Sequence, residues 1–576
     1  MIAASRLLPF LRWSRGYSRR DLGGDLLAGA TTASLLIPQA MAYALLAGLP
    51  PIVGLYAALV PPIVYALLGT SRRLAVGPVA IDSLLTAAAL APLAAGDPVV
   101  YAAAAAALAL LVGAIQASTG ALRLGFIVNF LSLPVLRGFT AGAAVLIMAS
   151  QLGPLLGLRL PASAGIVPTI QALVRQAGAV HLPTVGLGLA AVAALLLMGR
   201  FRGKALVVVV AGTLLGHGLE LAAHGVALLG AVPSGLPTLA IPAVDAGLLI
   251  GLAPAAAILA LVSFMEAFSS GLAVASRGEH VDANQELVAL GMSNAAAGLV
   301  GGYPIAGGLS RTAVNAQAGA RTPLAGVVTA ALVAVTLVLL APLLQTLPRA
   351  ALSAIIVLAV ASLIDFGFVR ELRRVKPREL LSLGVTFGAT LVFGVSLGLA
   401  FGVGASLLFF VLRTTRPHTA VLGRLPGTEV YRNVLRFPDA ETVPGLVVIR
   451  LDAPLYFANA AYLTAQIRRL VDAQAARAVV IDMGAVHEID VSALASLREL
   501  SRELREQGVA LYLADIKGPV RDLLGRTDLP ASLGPERFTF TVHEAVQRIH
   551  GTCPRPCDAR TTQAWCDTQP RTDNTP

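Results

Sequence analysis

Residues 24–412 are apolar almost throughout and broken only by short loops, which leaves the chain few ways to fold. A soluble globule cannot hide that much apolar side chain, and a disordered chain does not carry it. Of the 576 residues, 56% are hydrophobic and 13% charged, about half the charged share of an ordinary soluble chain. Mean hydropathy is +0.77. The expectation is an α-helical polytopic membrane protein. At about 28 residues per span, enough for ~20 in the bilayer plus a turn, the run holds about fourteen spans.

The loops give an independent test. Arg72/Arg73, Arg123, Arg200/Arg202/Lys204, Arg277, Arg321, the 370–378 cluster and Arg413/Arg416 fall in every second break. The intervening loops carry little: 48–51 is uncharged, 94–97 has only Asp97, and 223–250 has Asp245 and His224. Arg159, Arg175 and Arg349 are exceptions. The positive-inside rule then puts both termini in the cytoplasm, and the cytoplasmic membrane is the expected location. Residues 1–23 form a basic cytoplasmic N-terminus without the uninterrupted apolar stretch of a signal peptide.

Net charge is +11, yet only three residues are lysine, so the excess is loop arginine. No nucleic-acid-binding motif with interleaved aromatics accompanies it, so nucleic acid is not an expected partner. Cys553, Cys557 and Cys566 all lie near the C-terminus, in a tail (551–576) read as disordered. No disulfide framework, metal site or cofactor is therefore expected. The apolar region has no His/Cys/Asp cluster or nucleophile elbow, and the chain has no Gly-x4-Gly-Lys-Ser/Thr loop, which argues against an enzyme.

Two segments are too broken to be ordinary spans. Residues 74–93 carry Gly77-Pro78 near their start; residues 301–318 carry Gly301, Gly302, Pro304, Gly307 and Gly308. Counted along the chain they are the third and tenth spans, the third of each group of seven. Matched interrupted helices in two halves point to inverted repeats and a midplane site. With seven spans per half the repeats enter from opposite sides, and the half-helices aim their N-termini at one another.

Each N-terminus offers unpaired N–H groups and roughly half a positive charge, so two facing ends make an anion site. Val79 and Ala80 fall at the third span; Ser310, a hydroxyl donor, and Arg311, a cation, at the tenth. Gln39, behind Pro38 in the first span, adds a neutral amide donor. Two carboxylates lie inside apolar stretches, Asp82 and Glu266. Each needs a partner, a proton or a water-filled cavity, because a charge at the bilayer centre costs at least ~2.5 kcal/mol. Glu266 is the candidate proton-coupling group, or else a permanent partner for Arg311. Asp82 is a weaker candidate that could instead face water.

After Arg416 the composition changes. Strands Leu446–Leu451, Ala478–Ile481 and Val509–Leu513 alternate with helices Val491–Gln507 and one beginning Val520–Leu524. Residues 442–550 are enough for one small α/β domain, with 416–441 as linker after a transmembrane domain at 24–415. Asp490 or Ser492 can cap the helix that follows them.

The blocks Gly24-Asp-Leu-Leu-Ala-Gly-Ala, Ile37-Pro-Gln-Ala-Met-Ala-Tyr, Leu68-Gly-Thr-Ser-Arg-Arg, Val76-Gly-Pro and Gly308-Leu-Ser-Arg-Thr-Ala-Val-Asn are similar to those of the SulP anion permeases. Asp452-Ala-Pro-Leu-Tyr-Phe-Ala-Asn-Ala resembles the STAS domain usual at their C-terminus. The resemblance implies a 7+7 inverted repeat, core and gate domains, and a homodimer with contacts from the STAS domain. It implies an anion held by Gln39, Tyr43, Val79, Ala80, Ser310 and Arg311, with Glu266 at the eighth-span acidic position. Ser492 matches a serine phosphorylated in anti-sigma-factor antagonists and is a regulatory candidate, as is a cytoplasmic protein partner for this domain. The expected function is proton-coupled sulfate uptake. The alternatives are sodium-coupled bicarbonate or dicarboxylate transport, and an anion sensor signalling through the STAS domain.

Overall fold

The computed structural model describes residues 8–92, 97–126, 132–158, 165–199, 201, 203–230, 235–276 and 278–551. Arg159, Arg200, Arg202, Arg277, the three cysteines and the expected disordered tail lie outside these residues. The chain divides into two units, 1–406 and 407–576.

In the first unit, a short helix α1 (Phe10–Trp13) precedes the long helix α2 (Arg19–Leu46). The long helix starts ahead of position 24 because Ser18 and Asp21 form a reciprocal capping box. Prolines with preset φ open α3 (Pro51–Ala57) and α4 (Pro61–Leu68). Strand β1 (Val76–Gly77) and the short α5 (Ala80–Leu90) follow. Next come α6 (Pro98–Ala121), α7 (Leu133–Leu156), α8 (Ile166–Arg175), α9 (Leu182–Leu197) and α10 (Lys204–Gly218).

The second half repeats this order. Asp245 caps α11 (Ala246–Ala273), 28 residues long like α2, and Asp282 caps α12 (Ala283–Leu299). A second two-residue strand, β2 (Ala306–Gly307), again leads into a short helix, α13 (Leu309–Gln317). The half continues with α14 (Leu324–Val335), α15 (Arg349–Ala361), α16 (Phe366–Val375), α17 (Glu379–Phe393) and α18 (Val395–Thr415). Among the described residues, seven helical segments are long and apolar enough to cross a membrane, and six shorter apolar helices accompany them.

The helices pack as two groups. In one, α6 lies along α12 and α2 along α14, with α4 against α12 and α11 against α6; in the other, α7 packs on α15 and α17, and α9 on α15. Lipid tails are as apolar as leucine, so helices in a membrane gain little from burying apolar area and adhere through close approach at small residues. The α6–α12 seam shows this. A Cβ on Gly291 would lie 2.5 Å from the Ala117 nitrogen and 2.7 Å from the Gly113 oxygen, and one on Gly298 would lie 2.6 Å from the Ala106 oxygen.

The second unit is one six-stranded sheet. Its strands are β3 (Thr419–Arg424), β4 (Tyr431–Asn433), β5 (Leu446–Leu451), β6 (Ala478–Asp482), β7 (Ala510–Ala514) and β8 (Phe538–Thr539), in spatial order β4-β3-β5-β6-β7-β8. From β5 to β8 the pairing is parallel; β3 pairs antiparallel with β4 and β5. The stretch 416–441, expected as linker, therefore supplies two strands of this sheet. The longer helices are α19 (Ala460–Gln474), α20 (Val491–Glu506), α21 (Gly518–Gly525) and α22 (Val542–Ile549), with a short turn of helix at Leu529–Leu533. Leu494, Leu497, Leu500 and Leu504 of α20 face inward as their spacing predicts. Asp490, not Ser492, is its cap: the Asp490 carboxylate accepts the Ala493 N–H at 2.7 Å, and the Ser492 side chain is exposed.

Close backbone contact at α6–α12 makes Gly291→Ala destabilising by on the order of 1–3 kcal/mol. Gly384→Ala, where a Cβ meets nothing within 4 Å, should leave stability unchanged or slightly raised. Thermal unfolding of the two purified variants in detergent separates them.

Candidate functional site: a cavity between two half-helices

The two interrupted segments meet. Strands β1 and β2 pair antiparallel, Val76 opposite Gly307 and Gly77 opposite Ala306. Around them the Gly308 N–H donates to the Ala75 oxygen at 3.3 Å, and the Ala75 N–H donates to Thr312 Oγ1 at 3.1 Å. Local sequence dictates the break. Gly77 sits at φ +153, Pro78 has no N–H, and a Cβ on Gly307 would lie 2.6 Å from Leu74 Cδ1. Each strand runs directly into its short helix. Val79 and Gly308 stand at the N-cap positions of α5 and α13, and neither helix end has a side-chain cap. The first-turn N–H groups at both ends are thus left for a ligand or water.

A cavity of about 40 Å³ lies at these ends, a few times the about 10–15 Å³ one water requires. Gln39 and Tyr43 of α2, Val79 and Ala80 of the third segment, Glu266 of α11, and Ser310 and Arg311 of α13 all line it. Every substrate-site residue singled out from the sequence is therefore brought to one place. The opposite wall was not foreseen: Ala359, Val360 and Leu363, at the end of α15 in the other helix group, complete the lining. Apolar residues in an ordinary span carry no signal that would distinguish them.

Arg311 is 2% exposed. One guanidinium nitrogen, Nη1, donates to the Pro78 carbonyl, which ties α13 to the turn before α5. Nε and Nη2 have no hydrogen-bond partner among the described residues. No ion pair joins Arg311 to Glu266, although the two interact electrostatically, and the buried Glu266 Oε2 is also without a partner. A permanent Arg311–Glu266 bridge is not what this geometry contains.

The buried carboxylates sort by their bonding. The sequence singles out Asp82, which is fully buried, and Glu266, which is half-buried; Asp25 and Glu286 are fully buried as well. Glu286 accepts from Tyr65 Oη at 2.7 Å, Thr70 N and Oγ1 at 2.6 Å each, and Ser71 N at 3.1 Å. Asp25 accepts from Arg321 N, Thr322 N and Thr322 Oγ1 at 2.8, 3.0 and 2.5 Å, and from Tyr17 Oη at 3.3 Å. Both are structural staples between distant loops. Asp82, in contrast, has neither oxygen partnered and does not line the cavity. It sits in the first turn of α5, within electrostatic reach of Glu266 and 0% exposed, so it does not face water.

A layer of buried amides holds the strand pair in place. Asn294 of α12 accepts the Ile305 N–H at 2.8 Å and donates to the Ile305 oxygen at 3.1 Å and to Gln116 Oε1 at 3.0 Å. Gln116 of α6 in turn donates to Ser263 Oγ, one turn before Glu266, at 2.8 Å. Two amides within apolar helices were a readable signal that sequence inspection passed over. Among the described residues, no group of three or more His, Cys, Asp or Glu is arranged to hold a metal.

The family model for the sulfate permease family matches residues 22–386, which include both paired strands and all of the cavity residues. The chain belongs to the sulfate permease family. It is thus a multi-pass membrane transporter for anions, and the STAS-domain model matches residues 437–545. A probable sulfate transporter of Mycobacterium tuberculosis is 40% identical, over 92% of this chain and 96% of that protein. The chloroplastic sulfate transporter 4.1 of Arabidopsis thaliana is 36% identical, over 94% and 82%. Among solved structures, the murine Solute Carrier 26 family member A9 anion transporter in the inward-facing state superposes with a TM-score of 0.86. That match is at 26% identity and covers 95% of this chain and 94% of that one. The transmembrane domain of the cyanobacterial bicarbonate transporter BicA matches with a TM-score of 0.59 at 29% identity, over 68% and 98%.

Replacing Asn294 by leucine leaves the Ile305 N–H and the Gln116 amide oxygen without their partner, at about 1–3 kcal/mol for each buried group. Asn294→Leu should lower the thermal midpoint in detergent well beyond Ser492→Ala, which removes an exposed hydroxyl and should leave it unchanged.

Proposed function

We propose that the protein takes up sulfate together with protons across the cytoplasmic membrane, with both termini in the cytoplasm. The observation that carries this reading is the pairing, in one small cavity, of two uncapped helix ends with a buried arginine that keeps two donor nitrogens unoccupied. Such a site neutralises a dianion through backbone dipoles and one guanidinium fork, without a metal. The names of the relatives that match along nearly the whole chain favour sulfate.

The coupling follows from charge. With Glu266 ionised, its negative charge offsets Arg311 and repels an arriving anion. With Glu266 protonated, Arg311 and the helix ends act unopposed, so proton and anion enter together. Asp82 is a second carboxylate beside the same charges, and a proton on it would add to the effect. Alternating access is rocking of the group that carries α2, α5, α11 and α13 against the group that carries α15, whose apolar wall slides past the site. A homodimer with STAS-domain contacts completes the proposal, with Ser492 exposed for modification and the domain available to a cytoplasmic partner. Sodium-coupled bicarbonate or dicarboxylate transport, and anion sensing without flux, are the competing readings.

Radiolabelled sulfate uptake into proteoliposomes under imposed pH or sodium gradients separates them. Uptake driven by an inward proton gradient and not displaced by bicarbonate or fumarate is expected; sodium dependence, or binding without flux, would overturn the assignment. Glu266→Gln should flatten the pH dependence of uptake while sulfate binding persists. Arg311→Ala should raise the apparent KM by about tenfold or more, as expected for loss of a charge-assisted contact.

A further inference from the structure

A second cavity, of about 620 Å³, lies at the opposite end of α13 from the anion site, along about 14 Å of helix. Its size is within the about 300–1,000 Å³ typical of organic ligands. Four arginines line it, Arg12, Arg72, Arg73 and Arg321, against two acids, Asp21 and Glu279.

The acids and two of the arginines are already committed. Glu279 accepts the backbone N–H groups of Arg72 at 2.8 Å and Ser276 at 3.0 Å. Asp21 accepts from Ser18 N at 2.9 Å and from Arg321 Nη1 at 3.1 Å. Arg73 donates to the carbonyls of Val274 and Ala320, at 3.1 Å each, where α11 and α13 end. The side chains of Arg12 and Arg72 have neither a hydrogen bond nor an ion pair among the described residues. Beside them stand two fixed rings. Trp13 Nε1 donates to the Ala66 oxygen at 3.3 Å, Tyr17 Oη donates to Asp25 at 3.3 Å, and the rings meet edge to face at 6.1 Å.

We propose that this cavity binds an organic phosphate at a site separate from the transported anion. Arg12 and Arg72 hold the phosphate group, and Trp13 and Tyr17 flank the organic part. Two guanidinium forks match the geometry and charge of a phosphomonoester dianion. The volume exceeds what an inorganic ion needs, and the aromatic wall would be wasted on one. A soluble ester and a lipid phosphomonoester headgroup share this chemistry.

The test uses the full chain in phosphatidylcholine nanodiscs. Adenosine 5′-monophosphate, followed by calorimetry, probes the soluble source. Nanodiscs containing phosphatidylinositol 4-phosphate, followed by thermal midpoint, probe the lipid source. Saturable binding or stabilisation by either is expected. It should weaken by about tenfold or more in Arg12→Gln/Arg72→Gln. It should survive in Arg311→Ala, or in Ser310→Ala if the arginine variant does not fold. Failure of both probes, an unchanged affinity in the double variant, or loss of binding in the anion-site variants would overturn the proposal. No uptake measurement enters, so this result stands apart from the choice of transported anion.

Discussion

Two short β-strand residues on each side, paired across the two halves of the chain, organise everything else in the membrane unit. Because Val76 and Gly77 pair with Gly307 and Ala306, α5 and α13 begin side by side, and their open N-termini border one cavity. A backbone that leaves the helix within a bilayer must find its hydrogen bonds inside the protein. The strand pair supplies some of them, and Asn294, Thr312 and the Arg311–Pro78 contact supply others. Neither half-helix has a side-chain cap, and Arg311 beside them keeps Nε and Nη2 without a partner among the described residues.

The contrast among the buried acids gives that statement its force. Burying a charged or polar group is tolerated when its partners come with it. Asp25 and Glu286 meet this condition, each with four donors, and each fastens loops that are far apart in sequence. Asp82 does not meet it, and Glu266 and Arg311 meet it only in part. These three sit on the elements that approach the paired strands: both Asp82 oxygens and one Glu266 oxygen lack a partner, and Arg311 keeps one fixed contact, to the Pro78 carbonyl, and two open donors.

Much of this was legible in the sequence because breakers announce themselves. Gly77-Pro78 and the run 301–308 interrupt apolar segments that otherwise read as spans, and both fall at the third position of a half. Val79, Ala80, Ser310 and Arg311 adjoin those breaks, Gln39 follows Pro38 in the first span, and Tyr43 is pointed to by the family resemblance alone; all six line one cavity. The wall made by Ala359, Val360 and Leu363 was not legible, since packing between helix groups has no local signature. Glu286 and Asp25 are not legible because they lie near the ends of apolar runs, where an acid reads as solvated; apart from Tyr17 beside Asp25, their donors come from residues more than 200 positions away. Strands β3 and β4 read as linker in the sequence because they are short and arginine-bearing; pairing with β5 defines β3, and pairing with β3 defines β4.

The central claim is that the anion rests between the first turns of α5 and α13 against the free edge of Arg311. Soaking or co-purifying the protein with selenate, a tetrahedral dianion with strong anomalous scattering, and locating the selenium measures this directly. The account predicts a single strong peak in the small cavity, within hydrogen-bonding distance of Arg311 Nε or Nη2 and of first-turn N–H groups of both half-helices. Selenium found elsewhere with that cavity vacant at saturating selenate would contradict it.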